Sequence, residues 1–166
     1  MAKMTVKGLE AYMAKLSALE QSTDRVVREV IHDGAEIVAD AIREGLESLP
    51  TSEHDGRPWW GTPGHKARGP SEEQKRGLLD SFGITPVSTD SKGFVNVHMG
   101  FDGYNSVKSA RWPQGQPNQM VARAVESGTS FMEANPAIKR ARARARKAAE
   151  KAMERTFERE SKKIVK

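Results

Sequence analysis

The chain has 166 residues, a net charge of +5, 37% hydrophobic and 30% charged residues, and a mean hydropathy of −0.66. That length fits one domain, 1–166, with a modest core, and the absence of cysteine excludes disulfides and thiolate metal sites. No apolar run reaches the roughly 18 residues of a membrane span and no signal-peptide pattern opens the chain, so no membrane association is expected, and the protein is expected to be made and to stay in a cytoplasm-like setting.

Residues 1–49 read as one long helix. Leu9, Met13, Leu16 and Leu19 fall at helical spacing. After Ser22-Thr23-Asp24, where a kink is expected, Val26, Val27, Val30, Ile31, Ala35, Val38, Ala41, Ile42, Leu46 and Leu49 form one stripe. Pro50 cannot continue the helix. Gly34 and Gly45 weaken its interior, so their use is expected to be close packing against another element. Residues 50–70 form a long Pro/Gly loop carrying Trp59 and Trp60 beside Arg57 and Pro58. Paired tryptophans in such a loop are anchors of the kind interfaces favour, the other reading being rings folded back onto the core.

Residues 71–134 carry short helices and a small sheet. Ser71 and Gln74 have capping-box spacing for a helix that breaks at Gly83. Ile84 to Thr89, interrupted by Pro86, and Phe94 to Phe101 read as two antiparallel strands joined at Asp90-Ser91-Lys92-Gly93. A third strand is expected around Tyr104 to Trp112, and Asn118 is expected to cap a helix running to Val125.

Residues 135–166 form the last helix, with Asn135 as its expected N-cap and Pro136 at its first position. Its expected buried stripe is Ile138, Ala141, Ala145, Ala148, Ala152, Phe157 and Ile164. The small residues point to close packing, expected against the N-terminal helix. From Ile138 to Lys166 twelve Lys and Arg stand against four Glu, a local +8, while fifteen basic and eighteen acidic residues elsewhere make −3. Arg140, Arg142, Arg144 and Arg146 alternate with alanine, and helical steps of 100° spread them around the cylinder. They are candidates for contact with DNA phosphates or with an acidic partner surface.

The fold class expected is therefore α+β: a long N-terminal helix and a long basic C-terminal helix packed with a small antiparallel sheet, plus one long Pro/Gly/Trp loop. No nucleophile motif, phosphate loop or metal-ligand spacing emerges around His32, His54, His65 or His98, so no catalytic residue, cofactor or metal is expected.

The string from Gln119 to Ser130, with Glu126-Ser127-Gly128-Thr129-Ser130 at its end, and Ala134-Asn135-Pro136-Ala137 after it, resembles the signature of the tail-completion family of long-tailed bacteriophages, the head–tail joining or neck proteins. That family's pattern is a hydrophobic run, Glu-aromatic-Gly-Thr, a short loop and Arg-Pro-Phe opening the last helix. This chain has Ser127 and Ala137 at the two aromatic positions. Gly77-Leu78-Leu79-Asp80-Ser81-Phe82 resembles the family's Thr-Gly-x-Leu-x-x-Ser-Ile element, with Arg76 in place of Thr. The resemblance implies a structural virion protein of the neck, made in the bacterial host cytoplasm and assembled as a homo-oligomeric, typically hexameric ring. Its implied partners are the tail terminator, the tail tube and the head-side connector, with DNA passing through the lumen and touched non-specifically. The expected subunit or partner contacts are Trp59, Trp60, Glu126, Gly128, Thr129, Ser130, Phe131, Asn135 and Pro136. The rival expectation is a small basic nucleic-acid-binding protein that uses the Ala/Arg helix; a helical module dedicated to one partner is the third.

Overall fold

A computed structural model describes the chain over residues 9–52 and 66–164, with side chains described over 22–52 and 66–163. The described elements run α1 (Leu9–Glu47), α2 (Glu72–Ser81), β1 (Phe82–Ile84), β2 (Ser88–Thr89), β3 (Val95–Asn96), β4 (Met99–Phe101), α3 (Asn118–Ser127) and α4 (Ala137–Ile164). This is the expected α+β class, with long first and last helices and small antiparallel pairings between them. α1 is continuous through Ser22, where a kink was expected. The side chains of Leu9, Met13, Leu16 and Leu19 lie outside the described residues.

α1 organises the rest. It runs antiparallel to α4 in the most extensive contact of the molecule, and it also receives α2, β1 and β3. The two glycines expected to allow close packing do so: a Cβ on Gly45 would stand 3.3 Å from the Ala141 Cβ, and one on Gly34 would stand 2.6 Å from Met153 Cγ and Sδ. α4 answers with Ala137, Ala141, Ala145 and Ala149, all buried, continued by buried Thr156 and Glu160. The expected stripe was therefore right at Ala141 and Ala145 but out of phase further on. Ala148 is exposed and Phe157 is 56% exposed, because a face repeating every four residues tracks the glycines of α1. Farther along the pair, Thr156 Oγ1 donates to Asp33 Oδ2 at 2.5 Å and Arg159 Nη2 to Glu29 Oε1 at 3.0 Å.

The core lies where α2, α3 and the strands meet the C-terminal half of α1 and the start of α4. Ala39, Ile42, Leu46, Leu49, Leu78, Phe82, Val121, Val125, Ala137 and Ala141 fill it, with Ile84, Met99 and Phe101 against its edge. Burying a side chain the size of leucine or valine contributes about 1.5–3 kcal/mol. The Phe82 and Phe101 rings lie 5.3 Å apart, and the Arg43 guanidinium covers Phe82 at 5.7 Å. The Lys75 ammonium donates to the Leu49 carbonyl at 2.9 Å, supplying a cation to an end of α1 that has no basic residue in its last turn.

Ser71 and Gln74 form the expected capping box, each side chain bonded to the other's backbone N–H. The expected hairpin is present but divided: β1 pairs with β4 and β2 with β3, and Pro86, which has no N–H, sits in the break. Asp90 closes the turn, its carboxylate accepting from the Lys92 and Phe94 amides. The third strand expected at Tyr104 to Trp112 does not form. There Asn105 binds the Gln116 carbonyl through its backbone and its side chain, and Ser109 and Trp112 close a tight turn. Asn118 does not cap α3 either. Pro117 holds the cap position without a side-chain bond, and the Asn118 amide turns away to donate to the Asp102 carbonyl.

Candidate interface

α3 ends at Gly128, whose φ of 71° lies in the left-handed region that favours glycine. A Cβ there would also come within 2.9 Å of the Ala134 amide nitrogen. The chain then turns back on itself. Thr129 accepts through Oγ1 from the Phe131 and Met132 amides at 3.1 and 3.0 Å, and its own N–H donates to the Met132 carbonyl at 2.9 Å. The Asn135 amide returns to the Val125 carbonyl at 2.7 Å. The segment is thus a self-bonded knuckle.

The start of α4 is held differently from expectation. Pro136 precedes the helix, which begins at Ala137, and the Pro136 carbonyl accepts its first turn bond from Arg140. Asn135 does not cap it; its Oδ1 accepts from the Arg140 guanidinium. The cap comes instead from α3. Glu126 Oε1 accepts from the Ile138 amide at 2.6 Å and Oε2 from the Lys139 amide at 3.2 Å. A carboxylate offers two acceptors and a full negative charge to a helix N-terminus, which an Asn amide does not.

The knuckle is joined to the long loop. Ala67 donates to the Phe131 carbonyl and accepts from the Glu133 amide, each at 2.8 Å, as an isolated parallel bridge. Nearby, Ser52 donates its amide to the Pro70 carbonyl at 3.0 Å, and its hydroxyl accepts from the Arg68 and Gly69 amides. Both ends of the Pro/Gly stretch therefore meet each other, and its second end is stitched to the knuckle. Trp59 and Trp60, like His54 and His65, lie outside the described residues. Of the other residues expected at an interface, Thr129, Ser130 and Phe131 are exposed, Phe131 to 45%, whereas Glu126, Gly128, Asn135 and Pro136 are half-buried. The spacing of the sequence carried no signal for Ala67, because a bridge between residues so far apart leaves no local pattern.

The four arginines do not act alike. Arg144 Nη2 lies 3.5 Å from Glu44 Oε2, and Arg146 Nε donates to Glu150 Oε1 at 2.8 Å, a bond that raises its pKa further. Arg140 binds Asn135. Arg142 makes no hydrogen bond or ion pair among the described residues. Near the other end of α4, Glu160 accepts from Arg159 Nε at 2.8 Å and from Lys163 Nζ at 2.6 Å. These two bonds, the arginine's first, hold its carboxyl below the usual range.

Among the described residues, His32, Asp33 and Glu36 bring potential metal-ligand atoms within 4.8 Å of one another on α1. Asp33 already serves Thr156, and His32 and Glu36 are exposed one turn apart. No helix among the described residues is long and apolar enough to cross a membrane. No family model, curated protein or solved structure matches the chain.

Proposed function

We propose that this chain is a structural protein of the phage neck, a tail-completion or head–tail joining component that forms a ring, of six copies on the family pattern, between the tail and the head-side connector. The observation that carries this reading is the Ala67 bridge. The two segments singled out as contact loops, 50–70 and 126–135, are hydrogen-bonded into one structure at 67 and 131–133. A joint between particle parts needs such a composite surface. Large apolar side chains left in solvent add weight: Phe94 is 67%, Tyr104 61% and Phe157 56% exposed. On this reading the protein performs no catalytic step and holds no cofactor or metal. Its partners are other copies of itself, the tail terminator, the tail tube and the connector, and it resides in the virion neck.

The test is genetic and visual. Particles made without the protein are expected to accumulate as tailless heads beside unjoined tails, and normal virions lacking it refute the role. Sedimentation of the purified protein, alone and with neck proteins, is expected to show assembly.

A nucleic-acid-binding role is favoured by one feature, the acid-free start of α4 with Lys139, Arg142 and Lys147 exposed. Against it, Arg140, Arg144 and Arg146 each already have an acceptor within the chain. Tight retention on DNA by the monomer that collapses between low and physiological salt, and that is lost when the four arginines become Gln, would select this role over the ring.

A further inference from the structure

The α1–α4 hairpin carries one row of each charge on its solvent side, away from the core residues Ile42, Leu46 and Ala137. On α1, Glu36, Asp40, Glu44 and Glu47 are exposed at intervals of four, four and three, which sets them on one side of the helix. On α4, Arg140, Arg144, Lys147 and Lys151 are exposed at intervals of four, three and four. Each row is roughly three turns or 16 Å long. The rows also lie level with each other. Gly45 packs on Ala141 and Gly34 on Met153, so in this antiparallel pair Glu36 is at the height of Lys151, Asp40 of Lys147, Glu44 of Arg144 and Glu47 of Arg140.

Within one chain this match is barely used. Arg144 reaches its counterpart Glu44 at 3.5 Å. Asp40 instead accepts from Arg43 of its own helix, Arg140 binds Asn135, and Glu36 faces His32 at 3.8 Å. Glu47, Lys147 and Lys151 make no side-chain bond or ion pair among the described residues. Like charges one turn apart work against each helix, so each row gains from an opposite row laid over it.

A phosphate backbone suits the α4 row alone. It would have the acids of α1 beside it, about 8–10 Å away across the packed helices, close enough to repel it at physiological salt. The surface that answers both rows has the same two rows exchanged, and a second copy turned about a two-fold axis along the helices presents it. We propose that two copies meet through this face, the α1 acids of each lying over the α4 cations of the other. Both copies use the same patch, so the contact is isologous. It stands apart from the ring reading, whose contacts lie at the joined loops. Two helices wide and three turns long, the face has the size of a weak contact, and the pair is expected at micromolar concentrations.

The experiment is sedimentation of the full chain over a concentration series at low and physiological salt. Four forms are compared: the unchanged protein, Glu36→Lys with Asp40→Lys, Lys147→Glu with Lys151→Glu, and all four changes together. Glu36→Gln with Asp40→Asn serves as a milder fifth form, and thermal unfolding checks that each form is folded. The unchanged protein is expected to pair, more weakly as salt rises, and either reversal to weaken pairing at least about tenfold (about 1.4 kcal/mol). The fourfold variant and an equimolar mixture of the two reversed forms are expected to recover it, because opposite charges face each other again. Pairing that neither reversal weakens, or that neither combination recovers, overturns the contact and leaves the ring standing. So does a chain that stays monomeric alone yet assembles with neck proteins, and so does retention on DNA that is lost with Lys147→Glu and Lys151→Glu while pairing is unchanged. Pairs that form as described but never grow into larger assemblies with neck proteins support the contact and count against the ring.

Discussion

Glu126 stands twelve residues ahead of the first amide it binds, and on a different helix. Replacing it with Ala removes two charge-assisted bonds and the dipole partner of α4, an expected loss of about 1–2 kcal/mol in urea unfolding. Glu126→Gln keeps an acceptor without the charge and is expected to lose about half of that. Glu160 gives a pH-dependent counterpart. Its folded pKa is lowered, so its contribution is complete above the unfolded carboxylate value of about 4.3 and disappears as pH falls through the folded value. The melting-temperature gap between the unchanged protein and Glu160→Gln is therefore expected to be widest at neutral pH and to close as pH falls through the lowered folded value. These cases also mark what single residues disclosed in advance. Ser71 and Gln74 could be read because a capping box lies within four positions. The cap of α4 could not, because the rule that led to Asn135 looks only at neighbours, and the better acceptor came from another element. Asn118 failed for the same reason, its amide being drawn to Asp102 across the fold.

At the scale of elements, α1 and α4 were legible and their facing was not. Alanines at 141, 143, 145, 148, 149 and 152 populate several sides of the helix, so hydrophobicity alone leaves the phase open. Gly34 and Gly45 decide it by admitting Met153 and Ala141 at short range. A paired substitution tests this. Ala149→Leu forces a large side chain between the helices and is expected to cost about 1–3 kcal/mol, whereas Ala148→Leu, one step around on the exposed side, is expected to stay within about 0.5 kcal/mol. Thermal unfolding of the two variants side by side decides between the phases. The hairpin was readable from alternation and from Asp90 to Gly93. The third strand expected at Tyr104 to Trp112 is absent because the Gln116 carbonyl claims Asn105 before any ladder starts.

At the scale of the whole molecule, the layering follows from α1 having more than one apolar side to cover, one taken by α4 and another by α2 and the strands. Phe94 then projects next to the hairpin turn at 67% exposure, with no part in the core cluster. Phe94→Ser is expected to leave the unfolding midpoint within about 0.5 kcal/mol of the unchanged protein. The same change is expected to weaken assembly in sedimentation, and an unaffected assembly would remove Phe94 from the contact surface. The pairing of the two loops had no signature at all in the order of amino acids, because main-chain atoms alone make it.

That last point reaches beyond one molecule. Ala67 grips 131–133 through its N–H and carbonyl, groups every residue but proline provides, so exchanging side chains at these positions leaves the staple in place. Descendants of this protein are free to repaint both loops for a new neighbour while inheriting their mutual placement unchanged. Only a proline at 67 or at 133, each of which deletes one of the two donors, would let the two drift apart.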